Sequence, residues 1–492
     1  MKTCVVIGGG IGGLVTGALL AKEGYQVTVL EKNDIIGGGL QTFKRNGVRF
    51  PTGMHIFGGF QEGGNLRKLF DYLGVMDKIK LRPTDEDTND EVNFVDENVT
   101  YRLPKGKERF VAYLSECFPD EKEQIKAYID RLFELTEEEE LFYLREAPEN
   151  GLSHSDDFLG SINQLMDKYL TDVKLKSLLG YLSPLIGGPG ETTPAYIHAL
   201  LSTLHINGTY QFVDESQQMA EALAEVIEKA GGQVIANDEV VKIEVENHAI
   251  TKVVTKKGHV YQADSYISDV HPDVLLRIID PQAFTTAFKT RIQSIPETMS
   301  SFKVFVKFKE QAFHYQNHSH FCLSEDDVWP QQLMFVTPPV AQQGDFAETM
   351  VLIAPMDFSE VKAWEDTRTG HRGEAYERWK QAKTDLVLDR MERLYPDFRN
   401  RIDFVFASSP LTIRDYYGNK EGSNYGFQKD SRNLMLSQMS VATKVKNLYL
   451  TGQNVNIHGL CGVTLTAIET AEALVGQNTI VRKINKFCPN HP

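Results

Sequence analysis

The sequence predicts an α/β fold of two structural domains, and three observations predict it. Residues 4 to 31 read as a strand, a glycine turn, a helix and a second strand ending in an acid. Residues 447 to 474 repeat that order of strand, glycine turn and helix. The chain has 492 residues, well past the roughly 250–300 at which a single hydrophobic core stops growing.

The opening block, Cys4-Val5-Val6-Ile7-Gly8-Gly9-Gly10-Ile11-Gly12-Gly13 and then Val27-Thr28-Val29-Leu30-Glu31, is the pattern of a dinucleotide site. Gly8 lets the chain turn sharply after the strand, Gly10 and Gly12 let backbone approach a pyrophosphate, and Gly13 lets the helix sit close on the sheet. The helix aims free N–H groups and its positive dipole end at the phosphates. Glu31 is placed to accept hydrogen bonds from a ribose diol and disfavours a phosphorylated ribose. The stretch does not read as a secretory leader, because glycines 8–10, 12, 13 and 17 would break its apolar core.

Beyond Lys32, Gly37-Gly38-Gly39 permits a second close approach of backbone to ligand and leads through Thr42 into a hairpin over Phe43 to Phe50, with Asn46-Gly47 as its turn. Gly53, Met54 and His55 follow. Residues 105–180 read as helices with an apolar stripe of Ile125, Tyr128, Ile129 and Leu132, and Glu137 to Glu140 read as a solvated face. Prolines and glycines over 184–194 predict a lid or pocket wall, after which a helix resumes over 195–204. A helix from Gln217 ends at Gly231-Gly232 and leads into strands over 234–236 and 240–245, then a meander over 250–268. Strands over 300–308 and 348–355 and a long polar helix over 373–393 suggest the second domain's own sheet. The terminal helix offers another set of free N–H groups.

Composition narrows the partners. With 52 Lys+Arg against 67 Asp+Glu the formal charge is −15, which argues against nucleic acid and against strong attraction to anionic lipid. Cys4, Cys117, Cys322, Cys461 and Cys488 show no paired spacing, which fits free thiols, a reducing compartment and no metal site. No long apolar run free of glycine and charge suits a bilayer span. The expected location is cytoplasmic, with peripheral membrane contact left open.

These residues resemble the FAD-dependent phytoene desaturase, carotenoid isomerase and retinol saturase family within the amine-oxidase-like flavoproteins. Its GGxxxTF segment stands as Gly37 to Phe43. Thr52-Gly53-Met54-His55-Ile56-Phe57-Gly58 and Leu450-Thr451-Gly452-Gln453-Asn454-Val455 look like segments of the retinol saturase branch. Asn454 replaces an acid, Gly39 stands where relatives carry a basic residue, and Val213-Asp214-Glu215-Ser216 stands where they carry paired glycines.

The resemblance implies a Rossmann-like, GR2-type domain of p-hydroxybenzoate-hydroxylase architecture, plus an α+β substrate domain with a mixed sheet and helices. The FAD domain would be gathered from residues 1–75, 206–272 and 440–492, with 76–205 and 273–439 binding substrate. It places Val241 against adenine, Gly452 and Gln453 near the pyrophosphate and ribityl chain, and Gly462 and Val463 at the flavin's pyrimidine edge. The implied chemistry moves hydride between flavin N5 and a hydrophobic polyene, as saturase, desaturase or isomerase, with an unassigned electron partner. His55 is the first candidate for an acid or orienting group, with Tyr425 and His458 behind it. The rival readings are a flavin amine oxidase and a non-catalytic lipid escort of the prenyl-binding type.

Overall fold

A computed structural model describes residues 1–148 and 153–488. Its centre is a five-stranded parallel sheet in the order Leu448–Leu450, Ser265–Ser268, Thr3–Ile7, Gln26–Leu30 and Gln233–Ile235. Parallel strands covered on both faces read as unbroken apolar runs, which is why Val5-Val6-Ile7 and Val27 to Leu30 lack polar alternation. The helix Ile11–Lys22 is buried over ten of its twelve residues. It packs between the helices Gln217–Lys229 and Gly459–Val475. Gly17 makes the first contact close, since a Cβ there would lie 3.1 Å from Ile227 Cδ1.

A three-stranded antiparallel meander, Val240–Glu246, Ala249–Thr255 and Val260–Tyr261, flanks this sheet. Its first turn has positive φ at Asn247 and His248 (50° and 61°), the conformation whose twist suits a two-residue hairpin. The last stretch of the expected meander, 259–268, is divided. Its first part closes the meander, and Ser265–Ser268 joins the parallel sheet.

The second sheet is mixed and seven-stranded, ordered Ile402–Ser408, Ser300–Phe308, Thr349–Met356, Gln332–Val336, Ser319–Leu323, Asp90–Phe94 and Val99–Leu103. The 300–308 and 348–355 strands form as expected, and Glu374–Leu394 is the long helix. The strands over 90–103, 319–336 and 402–408 were not legible as a sheet, because His, Asn, Asp and Glu interrupt their apolar pattern. Helices Lys107–Cys117, Lys122–Glu137 and Ala195–Ile206 cover one side, with Ile125, Tyr128, Ile129 and Leu132 buried as the stripe requires. Glu137 to Glu140 is not a plain solvated face. Glu138 accepts hydrogen bonds from Ser155, and burial raises the Glu139 carboxyl to about 7. Among the described residues no single helix is long and apolar enough to cross a membrane.

Candidate active site

A cavity of about 860 Å³ runs between the two sheets and gathers residues far apart in sequence. Its volume lies high in the ~300–1,000 Å³ range of ligand pockets. The cofactor candidates Gly8, Gly10, Gly12, Glu31, Lys32, Gly38, Gly39, Gly53, Met54, His55, Gly452, Gln453, Gly462 and Val463 all line it, as do Tyr425 and His458. Gly13, Thr42 and Val241 do not.

At one end the helix Ile11–Lys22 starts from Gly10, which has no side chain of its own to cap it, so its first N–H groups face an anion site. A buried carboxylate shows that they attract one. Asp269 sits over the turn: burial raises it to about 7, while hydrogen bonds from the Gly13 and Gly10 N–H groups pull it back down. A Cβ on Gly10 would lie 2.7 Å from Asp269 Oδ2, and one on Gly452 2.5 Å from its Oδ1. Gly13 acts from behind, since a Cβ there would meet the Gly8 carbonyl. The donor set fits the pyrophosphate of FAD.

Asp269 sets a pH dependence for loading. Below about 7 it is protonated and above it is charged, with Glu31 adding like charge, so a pyrophosphate meets more repulsion as pH rises. FAD affinity of the apoprotein should therefore fall from pH 6 to pH 8, by up to about tenfold per unit. Asp269→Asn should flatten the slope in a fluorescence titration, and an unchanged slope would remove Asp269 from the phosphate end.

Glu31 accepts from the N–H groups of Gly9 and Asn33, at 2.8 Å each. Carboxylate oxygens take more than one donor each, so Glu31 can brace the turn and still accept from a ribose. Lys32 Nζ donates to the Asp415 carbonyl at 3.2 Å, tying this edge to the helix Pro410–Tyr417. The Gly37 N–H donates to Gly9 at 2.7 Å. Where paired glycines were expected, Ser216 and Gln217 donate to the carbonyls of Leu40 and Ile36 and hold this segment from below.

Two placements differ from expectation. Val241 is 41 % exposed, and its neighbour Val240 lines the cavity instead; alternation along a strand sends successive side chains to opposite faces. Thr42 belongs to the hairpin Thr42–Arg45 and Val48–Pro51, with its hydroxyl buried outside the cavity.

At the other end the helix Gly459–Val475 begins three residues before Gly462, and its first residue follows His458, whose side chain makes no cap. Its N-terminus fits the electron-rich edge of a reduced flavin, where a positive dipole end stabilises negative charge. Gly462 packs against Ile457, which leaves no room for a Cβ.

His458 is committed elsewhere. Its Nε2 donates to the Leu185 carbonyl at 2.9 Å, fastening the 184–194 wall, and its ring lies 4.4 Å from that of Tyr425. Burial lowers His458 to about 4 and raises the Tyr425 phenol. Both groups stay neutral near pH 7, and His458 acts as a strut for the wall.

His55 differs. Both its ring nitrogens are buried without a hydrogen-bond partner, and it faces the cavity. Burial first, and the Lys303 charge second, lower it to about 3. A neutral imidazole at physiological pH suits the orienting role expected of His55 better than the acid role. Lys303, on the strand Ser300–Phe308, is the group the sequence did not disclose, since it sits in an apolar run without a motif. It is 7 % exposed, lines the cavity and donates from Nζ to the Thr52 carbonyl at 2.8 Å, and burial lowers it to about 8. Mostly protonated at pH 7, it is the better proton donor.

Comparison with known proteins agrees with this geometry. The family of flavin containing amine oxidoreductases matches residues 11–475. All-trans-retinol 13,14-reductase of Danio rerio is 26 % identical, over 96 % of this chain and 86 % of its own. Prolycopene isomerase 1 of an Oncidium hybrid cultivar is 25 % identical, over 92 % and 79 %. The structure of putrescine oxidase with putrescine superposes with a TM-score of 0.68 at 16 % identity, covering 97 % of this chain and 99 % of that one, a likeness of fold. With its glycine turn, its second helix N-terminus and a match over nearly its whole length, the chain belongs to the flavin containing amine oxidoreductase family, with FAD as its cofactor.

Proposed function

We propose that this oxidoreductase saturates, desaturates or isomerises the carbon–carbon double bonds of a long apolar polyene. The observation that carries the reading is the wall beyond His55 and Lys303, made of Leu200, Leu201, Leu204, Met334, Ile353 and Leu185. Such a surface buries a hydrocarbon and offers nothing to a charged one. The reductase and isomerase named above act, by their names, on a retinoid and a carotenoid, which supports the same substrate class.

When bound, FAD supplies an isoalloxazine that accepts or returns a hydride. The chain's own residues do the rest. The wall excludes water and holds the polyene in one register. The neutral His55 hydrogen-bonds to a polar end group or leaves it room, and Lys303 holds the proton that a neighbouring carbon gains or loses. The Lys303 shift comes from burial with no charged partner contributing, so a cationic amine beside it would meet a like charge. We also propose the domain division 1–75, 206–272 and 440–492 against the remainder, supported by the strands that each segment contributes. Cytoplasmic placement, peripheral to a membrane that supplies lipid, belongs to the same proposal and is supported by five cysteines that form no disulfide.

Product analysis tests the reading. The flavin-loaded protein, given a reductant, should convert a retinoid or carotenoid either to a species heavier by two hydrogens or to a geometric isomer of equal mass. A primary amine should give no aldehyde under air. Aldehyde from the amine, with every polyene unchanged, would replace this reading by amine oxidation.

A further inference from the structure

On the opposite face of the substrate sheet lies a second cluster that the flavin chemistry does not use. Strands Asp90–Phe94 and Ser319–Leu323 pair in parallel, with Glu91 beside His320. His318 lies two residues before His320 on the same face, since side chains at i and i+2 of a strand share a face. Glu91 and His320 are 229 residues apart in sequence. Ser319 and Phe321, on either side of His320, point the other way, toward the helical cover. His320 stacks on Phe335 at 4.2 Å, whereas the adjacent Met334 faces the cavity.

The donor atoms of Glu91, His318 and His320 lie within 4.8 Å of one another. A tetrahedral site with bonds of about 2.1 Å needs separations of ~3.4 Å, which rotation of the imidazoles supplies. Both ring nitrogens of His318 are buried without a hydrogen-bond partner. Buried polar atoms in native proteins are usually satisfied, so these nitrogens point to something they bind. Glu91 is held for the purpose. Arg102 Nε donates to its Oε2 at 3.1 Å, leaving Oε1 facing His320 Nδ1 at 3.2 Å and Asn93 Nδ2 at 3.3 Å.

We propose that Glu91, His318 and His320 form a zinc-class divalent cation site that ties these two strands together. Two imidazoles and one carboxylate are a donor set for zinc, and the fourth position is open toward solvent. There Asp85 Oδ2 lies 3.7 Å from His318 Nδ1, with its side chain 53 % exposed. The ion would displace the proton shared by His320 Nδ1 and Glu91 Oε1. The scattered cysteines argue against a thiolate site, and the ligands proposed here are of other types, assembled only by strand pairing.

The test uses flavin-loaded protein freed of metal by a chelator, supplied with zinc chloride, passed through a desalting column and assayed for bound zinc by elemental mass spectrometry. One zinc per chain is expected, and retention should fall more than about tenfold in His318→Ala and in Glu91→Gln, with the visible flavin spectrum unchanged as the sign of an intact fold. A measurement on the unaltered chain stands beside it: zinc should block diethyl pyrocarbonate labelling of His318, mapped by peptide mass spectrometry. Wild-type protein that retains no zinc, variants that retain it fully, or labelling that zinc leaves unchanged would each overturn the site. None of these readouts depends on the polyene reading.

Discussion

Gly10→Val should yield a folded protein that no longer holds FAD. Gly10 has φ −72° and ψ 176°, extended values that valine adopts without strain. Its added Cβ meets a side chain, Asp269, which can move aside. The fold therefore survives, but a branched side chain fills the space over the helix N-terminus where a pyrophosphate must lie against backbone. We expect FAD affinity to fall by at least about a hundredfold, ~2.7 kcal/mol. Far-ultraviolet circular dichroism and fluorescence titration with FAD read the two effects separately. Gly13→Ala is the contrast. Its Cβ would meet the Gly8 carbonyl, which is backbone and cannot yield, so this smaller substitution should reduce soluble expression as well as flavin content. Undiminished FAD binding in Gly10→Val would place the phosphates elsewhere.

Lys303→Met should stabilise the protein while removing most of its turnover. A buried ammonium lowered to about 8 is disfavoured in the folded state relative to the unfolded chain, where lysine titrates near 10.4. The sign follows from proton counting. Below about 8 both states carry the proton and the penalty is present in full. Between about 8 and 10.4 only the unfolded chain holds it, so stability rises with pH. At pH 7 methionine removes the penalty but leaves the Thr52 carbonyl without its donor, for a net gain of about 1–3 kcal/mol. The spectrum of bound flavin should persist, and turnover on a polyene should drop about 10²–10⁴-fold, the usual contribution of a positioned acid or base. Wild-type turnover limited by this acid should decline as pH rises through about 8. Thermal unfolding and steady-state rates of the variant check both parts. Full turnover in Lys303→Met would leave the proton to another group.

The flavin half of the site was legible because glycine and charge mark it locally. Gly8, Gly10, Gly12, Glu31, Gly38, Gly39 and the Gly459 turn are each short-range signals with one physical reading, and all line one cavity. What sequence could not disclose came from distant pairing. Lys303 lies in a strand whose neighbours are Phe302 and Val304, and nothing nearby signals that its side chain ends beside Thr52. Asp269 follows an ordinary strand, Ser265–Ser268, and gains its meaning when that strand pairs beside Thr3–Ile7. His55 was found by its place in a motif, but its titration depends on burial and on Lys303, which no motif states. Val241 shows the limit in one residue: the strand was read correctly, and its face was not.

Bound FAD, on the proposed function, exchanges electrons with an apolar polyene across the His55 and Lys303 end of the cavity. The most direct measurement is the visible absorption of FAD-loaded protein, reduced chemically under nitrogen and then mixed with a retinoid or carotenoid. Return of the oxidised flavin bands, at a rate set by polyene concentration and slowed in Lys303→Met, is the predicted result. A flavin that stays reduced with every polyene, leaves each polyene unisomerised, dehydrogenates none when supplied oxidised, and still reoxidises on admission of air would contradict the proposal and leave an oxidase with a different substrate.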